Sequence, residues 1–262
     1  MTGSTPARTK VLYGLMGPAC LLAVTEAVPR LGIVDRRFLP PASEILGALA
    51  AELRTATLWT ALGETMRGWA LGLAIAFCAA VAIGVVIDAV PGLRAASHST
   101  VEFLRPIPSV ALIPLATLLF GASLGSTLLL VIYASFWQVL IQVMYGVADV
   151  DTVADDTARS YGLSPWSRIR HVVWPTALPY IMTGLRLAAA VAFILAITAE
   201  LVIGSPGLGL EIQTAQSSGA VATTYGLVVL AGFVGIVVNL AVRALERRVL
   251  AWHPSVRGEV AS

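Results

Sequence analysis

TMRGWALGLAIAFCAAVAIGVVI, residues 65–87, decides the fold. After Arg67 it carries no charge, over a length matching the roughly 20 apolar residues that a helix needs to cross a bilayer. Four more segments meet or approach that requirement: Val11–Val28, Gly125–Val147, Ile181–Ile203 and Thr223–Val242. A further one, VALIPLATLLFG at 110–121, is short and holds Pro114. Composition agrees with the pattern. Only 12% of residues are Asp, Glu, Lys or Arg, against about 25% in an ordinary soluble domain. Mean hydropathy is +0.84. A soluble globule with so little charge has no means of covering its surface, so the chain reads as an all-α, polytopic membrane protein.

Several function classes drop out at once. A net charge of +2 with scattered basic residues gives no footprint for nucleic acid. Cys20 and Cys78 both lie in apolar runs and read as small buried hydrophobes. The phosphate-binding pattern G-x-x-x-x-G-K-[ST] is impossible where Lys10 is the only lysine. His98, His171 and His253 fall in separate segments, and no Ser–His–Asp set or carboxylate pair stands out. The expectation is therefore no catalytic residue, no metal site and no cofactor. The amino terminus imitates a signal peptide, but no A-x-A site follows Val11–Val28 and Pro18 and Glu26 interrupt it, so an uncleaved first helix is expected.

Basic residues set the topology. Arg8 and Lys10 precede the first span, and Arg94 and Arg105 follow the second. Arg159, Arg168 and Arg170 follow the fourth, and Arg243, Arg247, Arg248 and Arg257 follow the last. All share one side only if the short 110–121 segment crosses. The opposite loops, 121–125 and 204–222, contain no Lys or Arg. This predicts six spans with both termini cytoplasmic. The long loop from Glu26 to Arg67 is neutral overall; within it, Pro40-Pro41 and a Ser43 cap predict an amphipathic helix at the outer surface. Three parts are expected: 1–60 with the first span and outer loop, 61–252 as the core, and 253–262 as a cytoplasmic tail.

One stretch breaks the oily pattern: DDTARSYGLSPWSRIRHVVWPTALP, 155–179. Asp149 and Asp151 supply cap and first-turn charge for a helix. Val150, Val153, Ala154, Thr157, Ala158 and Tyr161 share one helical face. Gly162 is a natural left-handed stop. Ser164 caps a second helix with Pro165 in its first turn, and Pro175 ends it. Two short helices with an apolar stripe need a surface to pack on: their own neighbours, the membrane interface, or another protein.

Polar residues inside the spans are costly and informative. Ser135, Gln138 and Gln142 lie on one stripe, either lining a polar pathway or bonding a neighbouring helix. Glu200 sits three residues from the end of its span, as a pathway or gate contact or as half of a structural pair. The prolines of 106, 108 and 114 place the broken segment near a pathway.

The spacing Asp156-Thr-Ala158-Arg159-x-x-Gly162, with Val172-x-Trp174-Pro175 after it, resembles the "EAA" loop of permease subunits of bacterial ABC importers. LRPIPSVALIPLATLLFG (104–121), ALPYIMTGLRLA (177–188), AELVIGSPGLG (199–209) and RALERRVLAW (243–252) resemble the permeases for aliphatic sulphonates, taurine and nitrate. Asp156 stands where the family has Glu, and Thr157 where it has the first Ala.

The resemblance implies a six-span cell-membrane subunit whose cytoplasmic hairpin docks on a separate ATPase through Asp156, Ala158, Arg159, Gly162 and Pro175. It makes Gly204, Pro206, Gly207 and Gly209 an outer gate. It also implies two copies each of this chain and of the ATPase, a solute-binding protein outside, and surrounding lipid. The alternative is a stand-alone secondary transporter, which calls for inverted repeats and intramembrane acids that the sequence does not display. A polytopic enzyme stands third.

Overall fold

The computed structural model describes residues 7–252. The side chains of Arg8, Lys10, Arg94 and His98, and the 253–262 tail with His253 and Arg257, lie outside what is described. In chain order the helices are α1 (Ala7–Arg30), α2 (Ala42–Glu52), α3 (Ala56–Ala89), α4 (Pro91–Leu104), α5 (Ile113–Phe120) and α6 (Leu124–Ala148). Then come α7 (Thr152–Ser160), α8 (Pro165–Arg168), α9 (Trp174–Ile203), α10 (Leu208–Ser217) and α11 (Val221–Val249). Among the described residues, four helical stretches are long and apolar enough to cross a membrane: Ala56–Ile87, Leu124–Ala148, Pro165–Ile203 and Val221–Val249. The short segment is a 3-10 turn (Ser109–Leu112) leading into α5. At about 2.0 Å per residue in the 3-10 turn and 1.5 Å in α5 those two pieces reach about 20 Å, by themselves short of a bilayer core of about 30 Å.

The backbone divides into two units, Met1–Thr60 with Glu211–Ala231 and Ala61–Leu210 with Gly232–Ser262. In the first, the sequence expectation for α2 needs correction. Ser43 does not cap its own helix; Pro41 occupies that position. The Ser43 amide and hydroxyl instead donate to the Glu26 carboxylate of α1, at 2.9 and 3.0 Å. A carboxylate near the positive end of a helix does the cap's work from outside it. Gly226 of α11 lets α2 approach closely: a Cβ there would meet Leu49 Cβ at 3.2 Å and Ile45 O at 3.3 Å.

The second unit is held by small residues. Along α3, Gly68, Gly72, Ala76, Ala80 and Gly84 recur every fourth position; Ala76 and Ala80 are fully buried. This stripe rests on Thr127, Val131 and Val143 of α6. On α9, Gly184, Ala188, Ala192 and Ala196 repeat the device. In hydrocarbon no hydrophobic force pulls helices together, so close backbone approach and packing must. Trp69 of α3 adds an indole N–H bond to Ala189 O at 2.9 Å.

The prolines between α4 and α5 mark boundaries. α4 ends just before Arg105-Pro106, where proline has no amide hydrogen to carry the helix ladder on. Pro108 precedes the 3-10 turn and Pro114 sits in the first turn of α5. Side chains of α6 take carbonyls of the helices on either side: Tyr133 donates to Leu104 O, at the end of α4, at 2.9 Å, and Ser126 to Ala116 O of α5 at 3.0 Å. Pro175 does not end the second arm of the hairpin, contrary to the sequence expectation. α8 passes through a π turn (Ile169–Val173) straight into α9, with Pro175 in α9's first turn. The wider turn takes up the backbone bond that proline lacks, the Trp174 amide reaching back to Ile169 O.

Candidate functional site

The 149–175 hairpin forms as its punctuation dictates. Asp151 Oδ1 accepts the Val153 amide at 2.8 Å and starts α7. Gly162, at φ +75, stops it. Its amide donates to Arg159 O at 2.9 Å, and the Leu163 amide to Ala158 O at 3.0 Å, the paired closure of a Schellman turn. Ser164 then caps α8 through the Ser167 amide at 3.3 Å. Across the turn, Arg168 grips Asp155 with Nε and Nη2, at 2.8 and 2.7 Å. Arg159 adds a bond of 2.8 Å from the next turn of α7. Asp155 was not among the expected site residues, although an acid four residues before Arg159 with another arginine beyond the turn was a signal for it.

Arg168's hydrogen bonds, opposed by a smaller push from burial and assisted by Arg159, hold the Asp155 carboxyl below its ordinary value. With a depressed folded-state value, the clamp's stabilisation is complete above the ordinary aspartate pKa of about 3.9 and fades only as pH falls through the lower folded one. Amide-exchange protection over 155–168, corrected for intrinsic chemistry, is therefore expected to stay level from about pH 8 to about pH 5. Asp155→Asn lowers it across that whole window. Protection already failing near pH 6 in the unaltered protein contradicts the clamp.

The apolar stripe of α7 is split by the fold. Ala158 is buried at 7% exposure and lets α7 lie close to its own neighbours. Val153, Tyr161 and Trp166 are 70%, 81% and 72% exposed. Asp156 and Arg159 are exposed as well. Under the hairpin lies a cavity of about 590 Å³ whose walls include Val143, Val147, Asp155, Arg168, Val173 and Ile181.

The polar stripe of α6 turns toward α9 in part. Ser135 is fully buried, its hydroxyl 3.5 Å from Ala188 O. Gln142 packs its stem against Gly184, and Gln138 is half-buried. At the far end of α9, Gly204 (φ +81) terminates the helix. Glu200 is 1% exposed and bonds Thr65 of α3 and the Gly209 amide. Gly207 is buried, Pro206 is exposed, and Gly209 is the second residue of α10. Among the described residues no three His, Cys, Asp or Glu side chains gather as a metal site.

Residues 76–251 match the family model described as binding-protein-dependent transport system inner membrane component. The chain belongs to that family. It is thus a multi-pass permease subunit of a transport system and not an enzyme. Similar proteins include the taurine transport system permease protein TauC of Escherichia coli (strain K12), 30% identical, the match covering 96% of this chain and 94% of that protein. The putative aliphatic sulfonates transport permease protein SsuC of Bacillus subtilis (strain 168) is 28% identical, over 94% of this chain and 90% of the other. The nitrate import permease protein NrtB of Leptolyngbya laminosa is 25% identical over 74% and 69%. The fold resembles a chain of the MetNI methionine ABC transporter, with TM-score 0.63, 19% identity and coverage of 74% and 96%. It also resembles a chain of a bacterial alginate ABC transporter, with TM-score 0.64, 14% identity and coverage of 92% and 96%. Family membership decides between the two transporter readings, in favour of the ABC permease.

Proposed function

We propose that two copies of this chain form the pathway of an ATP-driven importer for a small solute such as an aliphatic sulphonate, taurine or nitrate. A soluble receptor delivers the solute outside, and two ATPase subunits dock on the cytoplasmic hairpins. In this reading each chain crosses the membrane six times with both termini inside, the short α5 crossing together with the irregular backbone that leads into it. One observation carries the docking: the hairpin is built rigidly, yet leaves Val153, Tyr161 and Trp166 uncovered beside Asp156 and Arg159. Apolar anchors rimmed by charge suit a protein partner. The continuity of α8 with α9 makes the hairpin a lever on a transmembrane helix, so that nucleotide-driven closure biases a two-state rocking of the bundle. The names of the relatives support the solute class.

The test is uptake into vesicles holding the complex. With receptor outside, uptake requires ATP inside the vesicles, on the hairpin side, and persists when proton and sodium gradients are collapsed; dependence on either gradient overturns the reading. Within the same system Gln138→Leu removes a polar group from the α6 stripe. It is expected to change uptake by about ten-fold or more, while the ATPase stays bound. Normal transport of every solute tested removes Gln138 from the pathway.

A further inference from the structure

At the end of α9 remote from the hairpin, one carboxylate organises the turn. Glu200 Oε2 accepts the Thr65 hydroxyl at 2.8 Å and the Gly209 amide at 3.0 Å. Thr65 Oγ1 accepts in turn from the Leu208 amide at 2.8 Å. Leu208 and Gly209 are the first residues of α10, whose opening amides have no acceptor within the helix. A cap residue of the helix itself ordinarily supplies that acceptor. Here groups from α9 and α3 supply it, and all of them are buried: Thr65 at 0%, Glu200 at 1% and Leu208 at 0% exposure.

The glycines follow from that closure. The Glu200 carboxyl occupies the space that a Cβ on Gly207 would need, and Gly207 sits at φ +154. A Cβ on Gly209 would come within 2.5 Å of Ile197 O and 2.7 Å of the Leu201 amide nitrogen. Those are backbone atoms, with no rotamer by which to yield. The 204–209 loop is therefore wrapped around the carboxylate without clearance, and a solute has no access to it in this arrangement.

We infer that Glu200, acting with Thr65, is a positioning residue that fastens the 204–209 loop to the end of α9 and to the flank of α3, so that this outer loop travels with α9 and does not open as a separate flap. The inference rests on the permease reading above. α9 is one helix from the π turn to Ile203, with Pro179 inside its hairpin end, so a fastened loop receives the hairpin's displacement through a single element. An unfastened loop leaves hydrolysis running while the outer side no longer follows it. A neutral acceptor oxygen is enough for the fastening, since both bonds end on one oxygen atom.

The experiment uses the reconstituted complex with its ATPase and receptor, carrying a spin-label pair at Ile194 and Pro206. The variants are Glu200→Gln, Glu200→Ala, Thr65→Ser and Thr65→Val. Glu200→Ala and Thr65→Val are expected to broaden the label distance and lower uptake by about ten-fold or more, with ATP hydrolysis retained and no longer dependent on receptor. Glu200→Gln and Thr65→Ser are expected to keep a narrow distance, with uptake within about two-fold of the unaltered complex. If Glu200→Ala does not assemble, the Thr65 pair gives the same contrast. A narrow distance and normal uptake in Thr65→Val overturn the inference. So does lost uptake in Glu200→Gln with the loop still narrow, which marks the carboxylate as a direct contact for solute or cation. An unaltered complex with no ATP-driven uptake refutes the permease reading instead, and is distinguished by that control.

Discussion

Gly162→Val leaves the protein in the membrane and abolishes solute-stimulated ATP hydrolysis by the complex. Gly162 holds φ +75, a region where a side chain costs an L-residue roughly 1–2 kcal/mol and a β-branched one more. The turn it makes closes two backbone bonds, Gly162 to Arg159 and Leu163 to Ala158. α7 has nine residues, too few to persist alone in water. Its order depends on the turn and on the Asp155–Arg168 clamp across it, and moving the turn separates that pair. The spans are untouched, so insertion proceeds. The measurement is ATP hydrolysis in reconstituted vesicles with and without loaded receptor. Stimulation is expected to fall by about ten-fold or more, with Gly162→Ala intermediate. Unchanged stimulation in the valine variant contradicts the role given to the turn.

Gly146→Val is expected to do the opposite kind of damage, in the bundle. A Cβ at Gly146 would lie 2.9 Å from Ala177 Cα and 2.9 Å from Tyr180 Cβ, where α6 meets α9. One of those is backbone, so relief requires the helices to part. Parting them also pulls Tyr180 from Asp149, which it bonds at 2.8 Å. Overpacking of this kind costs about 1–3 kcal/mol. The melting temperature of the purified chain in detergent is expected to drop by about 5 °C or more. Gly232→Ala is the contrast, because nothing lies within 4 Å of a Cβ there. It removes a helix-weakening glycine and should hold or raise the midpoint. Equal shifts in both variants would mean that the α6–α9 approach is not what Gly146 serves.

What the sequence displayed and what it hid follow from the range of the interactions. The long apolar runs of α3, α6, α9 and α11 were visible because burial in lipid is a property of each segment alone. The hairpin was visible for the same reason: Asp151, Gly162 and Ser164-Pro165 act on amides within a few residues of themselves. Local rules failed where a distant group took over. Ser43 read as a cap, but the Glu26 carboxylate, 17 residues away, holds that helix start. Pro175 read as a terminator, but a π turn absorbs its missing bond and the helix continues. α4 went unanticipated between two spans, with only Pro91 in its first turn to announce it.

In the candidate site, Asp156, Arg159 and Gly162 stood out by spacing, whereas the Asp155–Arg168 clamp depends on how the two arms fold back. Glu200 stood out as an acid in an apolar helix. Its partner Thr65 lies 135 residues away, and no periodicity connects them.

The most direct test of the account is to purify the tagged chain from native membranes in mild detergent and identify what accompanies it. A Walker-motif ATPase is expected in stoichiometric yield, and it should be lost from Gly162→Val and weakened in Asp156→Ala, while both variants remain in the membrane. A chain that comes out alone, or an ATPase that stays fully bound to both variants, contradicts the hairpin as the point where ATP hydrolysis is coupled to this protein.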